Sequence, residues 1–430
     1  MHHHTQRSML QVTFIKENKE VVLEGLKKKY YKNAEQDVHL ILSIDQQRRE
    51  TQKEMDSLLS ESNNKAKEIG VLLKNGQQEA AESLKKITAD LKAKAKEQSD
   101  KLIKLEEDLN NVLVKLPNLP HHTVPEGRTA EDNEIVYEFG EKPSLKHDAI
   151  PHWELIKKYN IIDFELGNKI TGAGFPVYKG KGARLQRALI NFFLEEAINA
   201  GYIEIQPPIV VNADSGFGTG QLPDKEGQMY HITAENFYLI PTAEVPITNL
   251  YRDVILKEEE LPVKNVGYTP CFRREAGSWG ADVRGLNRLH QFDKVEIVQI
   301  STPENSYKVL DEMVSYVQGI LEKLELPTRI LRLCGGDMSF NSALTFDFEV
   351  FSGAQKRWLE VSSVSNFESF QANRLKLRYK NEGKTQLLHT LNGSALALPR
   401  IVAAILENNQ TDVGIRIPDV LIPYTGFEII

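Results

Sequence analysis

Between residues 37 and 116 the apolar positions step by three and four along the chain. Val38, Ile41, Ile44, Arg48, Thr51, Met55 and Leu58 form one series; Leu84, Ile87, Leu91, Ala95, Gln98, Leu102, Leu105, Leu109, Val112 and Leu116 form a second. That spacing lays a narrow stripe along one helix face, the seam of a coiled coil. The segment has no proline, and Asn75-Gly76 falls between its halves, where a helix can stop. The pattern predicts an antiparallel helical hairpin whose helices, of about 38 residues each, reach roughly 55–60 Å. Arg48, Thr51, Ser62 and Gln98 interrupt the seam. An arm with so thin a seam and charged flanks suits contact with a large partner better than formation of a core.

After Pro117 the pattern changes. Residues 117–147 are broken by prolines and polar residues and read as a linker. Residues 150–165 and 184–200 read as helices, the second amphipathic through Leu185, Leu189, Phe192, Phe193, Ala197 and Ile198. Residues 202–211 alternate as a strand interrupted at Pro207-Pro208, and strands then dominate up to Ser301. A helix is expected over 306–324, further strands over 328–363 and a last helix over 399–408. Hairpins and helices without regular βαβ alternation indicate an α+β fold, an antiparallel sheet flanked by helices with the helical arm before it. The expected domains are 9–116 and 148–430, joined by the linker. Neither G-x-G-x-x-G nor G-x-x-x-x-G-K-[ST] occurs, which disfavours a parallel dinucleotide-binding fold.

A chain of 430 residues suits two or three domains. The first eight residues, MHHHTQRS, read as a tag or disordered extension, with Met9 as the natural start. No apolar run is long enough to span a bilayer, and the start lacks the order of a signal peptide. Cys271 and Cys334 lie in strand-like segments, so buried thiols in a reducing, cytoplasmic setting are expected, and no zinc site. The net charge of −7 argues against a generally basic nucleic-acid coat but leaves room for a local patch, such as Lys27, Lys28, Lys29 and Lys32.

The chemistry concentrates in CFRREAGSWGADVRGLNRLHQFDKVE, from Cys271 to Glu296. Residues 266–272 and 291–300 have strand composition, while Gly277, Gly280 and Gly285 forbid a regular element between them. Two antiparallel strands joined by an arginine-rich loop are expected. Loop arginines are usually solvated, but guanidinium forks also fit phosphate oxygens bidentately. Arg273 and Glu275 lie two apart at a strand end, hence on one face, and Phe292 and Glu296 leave the loop on the returning strand. A guanidinium, a carboxylate and an aromatic ring can so converge on one nucleotide. Three other segments carry candidates: Pro241-Thr242-Ala243-Glu244-Val245-Pro246; Leu359-Glu360-Val361-Ser362-Ser363, where Glu360 and Ser362 should share one strand face and Ser363 take the other; and Thr390-Leu391-Asn392-Gly393-Ser394, followed by Arg400 on a helix.

Together these segments resemble the seryl-tRNA synthetases, a family of class II aminoacyl-tRNA synthetases, from Met9 onward. The Cys271–Glu296 stretch resembles that class's motif 2, LNGSALALPRIVAAILENNQ its motif 3 and RALINFFLEEAINAGYIEIQPPIVV its motif 1. PTAEVP and LEVSSVSNFESFQANR resemble the family's serine-binding and ATP-binding strands, and the helical hairpin its tRNA-holding arm. Arg274 and the glycine-poor GSALALPR depart from the usual pattern.

The resemblance implies a ligase that activates L-serine with ATP to seryl-adenylate and pyrophosphate and passes serine to the 3′-terminal ribose of tRNA(Ser), and of tRNA(Sec) where present. It implies Arg273, Arg400 and Glu360 as catalytic. Arg273 would hold the α-phosphate, Glu275 the adenine amine, Phe292 the ring and Arg400 the γ-phosphate with Arg288 assisting. Arg274, Leu289, Val361 and Ser362 would complete the ATP site. Glu360 and Ser363 would hold Mg²⁺, a cation suited to oxygen ligands. Thr242, Ala243, Glu244, Arg273, Glu296, Asn392 and Ser394 would form the serine pocket. A homodimer through about 184–211 is implied, and no membrane association. The alternative is a non-catalytic paralogue that binds tRNA or protein through the arm; ligases that load a carrier protein lack such an arm.

Overall fold

The computed structural model describes residues 10–146, 148–224, 226–275 and 284–430. The expected tag at 1–8 and the loop centre with Gly277, Trp279 and Gly280 lie outside the described residues. The chain divides into two compact units, Leu10–Pro117 and Asn118–Ile430.

In the first unit, two short helices, α1 (Val12–Glu17) and α2 (Lys19–Lys28), precede the hairpin of α3 (Ala34–Lys74) and α4 (Gln78–Leu113). The helices turn at Asn75-Gly76, where Gly76 takes φ +76°, a backbone conformation that glycine adopts without steric cost. Val38, Ile41, Ile44, Leu91, Ala95, Leu102, Leu105, Leu109 and Val112 are buried in the seam as expected. Ile87 is not: it is 44 % exposed, and Thr88 takes its place. The reason is the alternation itself, since a step of four from Leu84 lands on 88. Ser62 is buried at 1 % exposure, and its hydroxyl has no hydrogen-bond partner among the described residues. An unmatched hydroxyl in an apolar seam costs free energy that alanine avoids. Ser62→Ala should stabilise the hairpin by about 1 kcal/mol. Amide hydrogen exchange along α3 reads this directly, and faster exchange in the variant would contradict it.

The second unit is built on an eight-stranded sheet. Its strands are β1 (Glu134–Phe139), β2 (Ile203–Glu204), β3 (Val263–Phe272), β4 (Gln291–Ser301), β5 (Thr328–Arg332), β6 (Leu344–Ser352), β7 (Arg357–Asn366) and β8 (His389–Ala397). They lie in the order β1-β5-β6-β7-β8-β4-β3-β2, antiparallel except where β2 meets β3. Around the sheet stand α5 (His152–Lys158), α6 (Gly180–Asn199), α7 (Glu244–Asn249), α8 (Ser306–Lys323), α9 (Phe370–Leu375) and α10 (Leu398–Asn408). Leu185, Leu189 and Phe193 of α6, Leu310, Met313 and Val317 of α8, and Ile401 and Ile405 of α10 share one core with Val295, Ile297, Val364 and Leu391 of the sheet. Because side chains alternate along a strand, the opposite face carries Lys294 and Glu296 of β4 and Asn392 and Ser394 of β8. That face holds the candidate site.

Two expectations are corrected. Residues 117–147 are no free linker, since β1 pairs with β5 at the sheet edge. Asn118 also anchors the segment, its amide donating to the carbonyls of Asn341 (2.9 Å) and Phe367 (2.8 Å). Its sequence, EIVYEF, has the composition of a strand, but it lies between proline- and glycine-bearing stretches whose composition set the reading of the whole segment. The single helix expected over 150–165 is α5 followed by a two-residue strand and a second helix, Phe164–Ile170. Asn160 breaks it with φ 53°, and Asp163 caps the next helix by accepting from the Leu166 amide.

Candidate active site

A cavity of about 630 Å³ opens on the polar face of β3, β4, β7 and β8. Its size suits a nucleotide-sized ligand. One end is cationic and aromatic, the other acidic, and both arise from the local fold.

The strands expected on either side of the arginine loop are β3 and β4, paired antiparallel with Cys271 opposite Phe292. This register places Arg273 just beyond the end of β3 with its guanidinium carbon 5.2 Å from the Phe292 ring centroid. Glu275 does not continue the extended chain, since its φ is 49°. It still lines the cavity and pairs with Arg288 at 3.0 Å. A non-glycine residue held in the left-handed region is strained, a feature that clusters at functional sites. Arg400 stands in the first turn of α10, its Nε donating to the Asn287 carbonyl at 3.0 Å and its Nη1 to the Glu360 carbonyl at 2.7 Å. Two backbone acceptors so fix the fork, and the Glu360 carboxylate lies 4.0 Å away.

On β7 the expected facing is overturned. The register with β6 shifts between Phe348, opposite Ser362, and Glu349, opposite Glu360. This β-bulge adds a residue at Val361, so Glu360 and Ser363, three apart, lie on the cavity face. Ser362 lies opposite the core residue Phe348 and donates to the Ser394 carbonyl at 2.5 Å. Asp347, opposite Ser363, was missed from sequence. Its Oδ1 is buried without a hydrogen-bond partner among the described residues, and burial, then the Glu360 charge, hold its carboxyl well above the usual range. Excess carboxylate beside Glu360 and Ser363 fits a hard divalent cation. Among the described residues no three His, Cys, Asp or Glu side chains converge as a metal cage, so phosphate oxygens and water would have to complete such a cation's shell.

At the acidic end, Glu244 opens α7, and its backbone amide donates to Thr242 Oγ1 at 3.2 Å. Its Oε1 accepts from Gln371 of α9 at 2.6 Å, and Gln371 Oε1 in turn accepts from Thr390 at 2.7 Å. Burial first, and Glu296 second, push the Glu244 carboxyl up to about 7. Glu296, 2 % exposed, pairs with Lys294 at 2.8 Å and accepts from Ser394 at 3.3 Å. The Asn392 side chain lines the cavity facing Glu244, and its amide favours the ionised carboxylate.

Thr242, Glu244, Arg273, Glu275, Arg288, Leu289, Phe292, Glu296, Glu360, Val361, Ser362, Ser363, Asn392, Ser394 and Arg400 all line this one cavity. Ala243 and Arg274 do not line it. Ala243 packs beneath with Ile247 and Val298, and Arg274 is exposed, its backbone amide donating to the Gln228 carbonyl at 2.8 Å. Lys294 had a legible signal, a lysine in alternation with apolar residues two before Glu296. Gln371 had none.

Comparison with known proteins agrees with both units. The seryl-tRNA synthetase N-terminal domain model matches residues 9–120, and the class II core domain model for the G, H, P, S and T tRNA synthetases matches residues 230–409. The chain is 51 % identical over 393 residues to a serine–tRNA ligase of Salinibacter ruber, covering 91 % of this chain and 92 % of that one. It is 46 % identical over 433 residues to one from Prosthecochloris aestuarii, covering 98 % and 99 %. A crystal structure of the Pyrococcus horikoshii seryl-tRNA synthetase complexed with ATP superposes with a TM-score of 0.92 at 32 % identity, covering 98 % of this chain and 99 % of that one. The chain belongs to the seryl-tRNA synthetases, the class II serine–tRNA ligases.

Proposed function

We propose that the cavity binds ATP at its cationic end and L-serine at its acidic end and joins them. The observation that carries this reading is the meeting of Arg273, Phe292 and Arg400 with Glu244 and Glu296 in one cavity. Serine's carboxylate attacks the α-phosphorus, a carboxylate–phosphorus bond forms, and the bond to the β-phosphate oxygen breaks to release pyrophosphate. A terminal ribose hydroxyl of tRNA(Ser) then attacks the seryl carbonyl and AMP leaves. Arg273 neutralises charge at the α-phosphate, and Glu275 accepts from the adenine amine once Arg288 turns to the phosphates. Phe292 stacks on the base, and Arg400 holds the γ-phosphate so that the chain bends for in-line attack. Glu360 and Ser363 would hold Mg²⁺, which when bound neutralises phosphate charge. Thr242, Glu244, Glu296, Asn392 and Ser394 receive the ammonium and hydroxyl of serine. The hairpin of α3 and α4 holds the tRNA, α6 and the segment to 211 make a two-fold interface, and the enzyme works in the cytoplasm.

The experiment is amino-acid-dependent pyrophosphate exchange with serine, alanine and threonine. Serine should dominate, because groups placed for its hydroxyl are left unpaired by alanine and the cavity limits the size of threonine. Exchange that is equal with alanine would overturn the assignment of the acidic end.

The buried Glu244 adds a pH dependence. Its carboxyl must be ionised to attract the ammonium, and it titrates near 7 rather than at its ordinary 4.5. The serine KM should therefore fall about tenfold between pH 6 and 8 as the ionised fraction rises, and level off above. A serine KM flat across that window would contradict the role of Glu244.

A further inference from the structure

Two carboxylates and one lysine are buried together in the acidic end. Glu244 is 7 % exposed, Glu296 2 % and Lys294 5 %. A buried lysine is rarely tolerated unless paired, and the ion-pair partner of this one is Glu296, at 2.8 Å. β4 presents both on the same face because they lie two apart, each opposite β3, Lys294 beside Thr269 and Glu296 beside Gly267. Gly267 leaves no room for a side chain, since a Cβ there would fall 2.6 Å from Ile247 and 2.8 Å from the Ile205 carbonyl. The position across from Glu296 is thus closed by Ile247 and the Ile205 carbonyl rather than by a side chain of β3. Its Oε2 takes both Lys294 and Ser394.

We propose that Lys294 is the positioning and charge-setting residue of the amino-acid pocket: by holding Oε2 of Glu296 it leaves Oε1 to the ligand, and it lowers the charge of the two buried carboxylates to that of one, matched to a single ammonium. The inference rests on the serine-binding reading above and deepens it. The two carboxylates have different partners, one cationic and one neutral. Glu296 is compensated by Lys294, whereas Glu244 is held by the uncharged amide of Gln371. The charged groups acting on Glu244 are Glu296, which raises its pKa, and Lys294, which lowers it, both from β4; α9 and β8 present neutral Gln371 and Asn392. Removing the lysine therefore acts on both acids, freeing Glu296 to rotate and protonating Glu244 more readily. A pocket without it would carry two unmatched carboxylates or a trapped proton, and either state binds a zwitterion of one ammonium less well.

The test is serine-dependent pyrophosphate exchange with the full-length protein, Lys294→Met and Lys294→Met/Glu296→Gln, each compared with Glu296→Gln alone. Lys294→Met should raise the serine KM about tenfold or more, with the ATP KM within about twofold. It should also move upward the pH at which the serine KM improves, which loss of strand stability alone would not do. On the Glu296→Gln background the same substitution should change the serine KM less than about twofold, because a residue acting through Glu296 has nothing left to position. The double variant removes one charge of each sign, so it keeps the test valid if Lys294→Met does not fold. An undiminished effect on that background, or equal rises in the serine and ATP KM, would overturn the proposal. Absence of serine-dependent exchange in the unaltered protein would instead overturn the reading of the site.

Discussion

Arg400→Ala should collapse serine-dependent pyrophosphate exchange by about a hundred- to a thousandfold, the scale on which a positioned donor to a transition-state oxyanion acts. Its guanidinium is preorganised rather than mobile. The Asn287 and Glu360 carbonyls fix Nε and Nη1, and the side chain remains 30 % exposed toward the cavity, so the rest of the fork can grip phosphate oxygens. Pro399 beside it starts α10 with a backbone angle already helical, which sets the direction of the side chain. The loss should fall on kcat and the ATP KM, with the serine KM less changed. Stability should drop by only about 1 kcal/mol, the worth of the lost hydrogen bonds to carbonyls. Arg400→Lys should recover a minority of the activity, since an ammonium supplies the charge without the fork. A loss of threefold or less in Arg400→Ala would remove this residue from the catalytic set.

Replacing residues 34–113 by a short glycine-serine link should abolish charging of tRNA(Ser) while leaving exchange within about twofold. The physical ground is that α3 and α4 bury their apolar stripe against each other. Val38, Ile41, Leu91, Leu102 and Leu109 all belong to that seam. The cavity residues all come from the second unit, Asn118–Ile430, so excision removes no side chain that lines the cavity. What it removes is a long surface able to reach a structured RNA by shape and backbone contacts. Charging that survived excision would make the hairpin a spacer, and loss of exchange would mean that the second unit needs the first to fold.

The hairpin was legible because its signal is long and periodic, and long periodic seams leave little choice of partner face. Its one misplaced position, Ile87 in place of Thr88, shows the limit of reading hydrophobicity without strict spacing. The two antiparallel strands on either side of the arginine loop were legible too, through composition and the glycines between them; their register, with Cys271 opposite Phe292, was not. Bulges were not. The extra residue at Val361 carries no local signature, yet it reverses the facing of Glu360, Ser362 and Ser363. The edge strand β1 was overlooked for a different reason: EIVYEF has strand composition, but it is one short apolar run inside a segment otherwise broken by prolines and polar residues. At the site, most charged residues that line the cavity could be named from sequence, Lys294 and Glu226 being the exceptions, but Ala243 and Arg274, adjacent to true lining residues, could not be told from them. Gln371, which braces Glu244 from a distant helix, exists as a partner only in three dimensions.

The central claim is that nucleotide and amino acid meet in one cavity across Arg273 and Glu296. A crystal structure with a non-hydrolysable seryl-adenylate analogue tests it most directly. The account predicts the adenine stacked on Phe292 with its amine at Glu275, the phosphate mimic at Arg273, and the seryl ammonium and hydroxyl within hydrogen-bonding distance of Glu244 and Glu296. An analogue bound with its seryl group away from those two carboxylates, or with its adenine off Phe292, would contradict it.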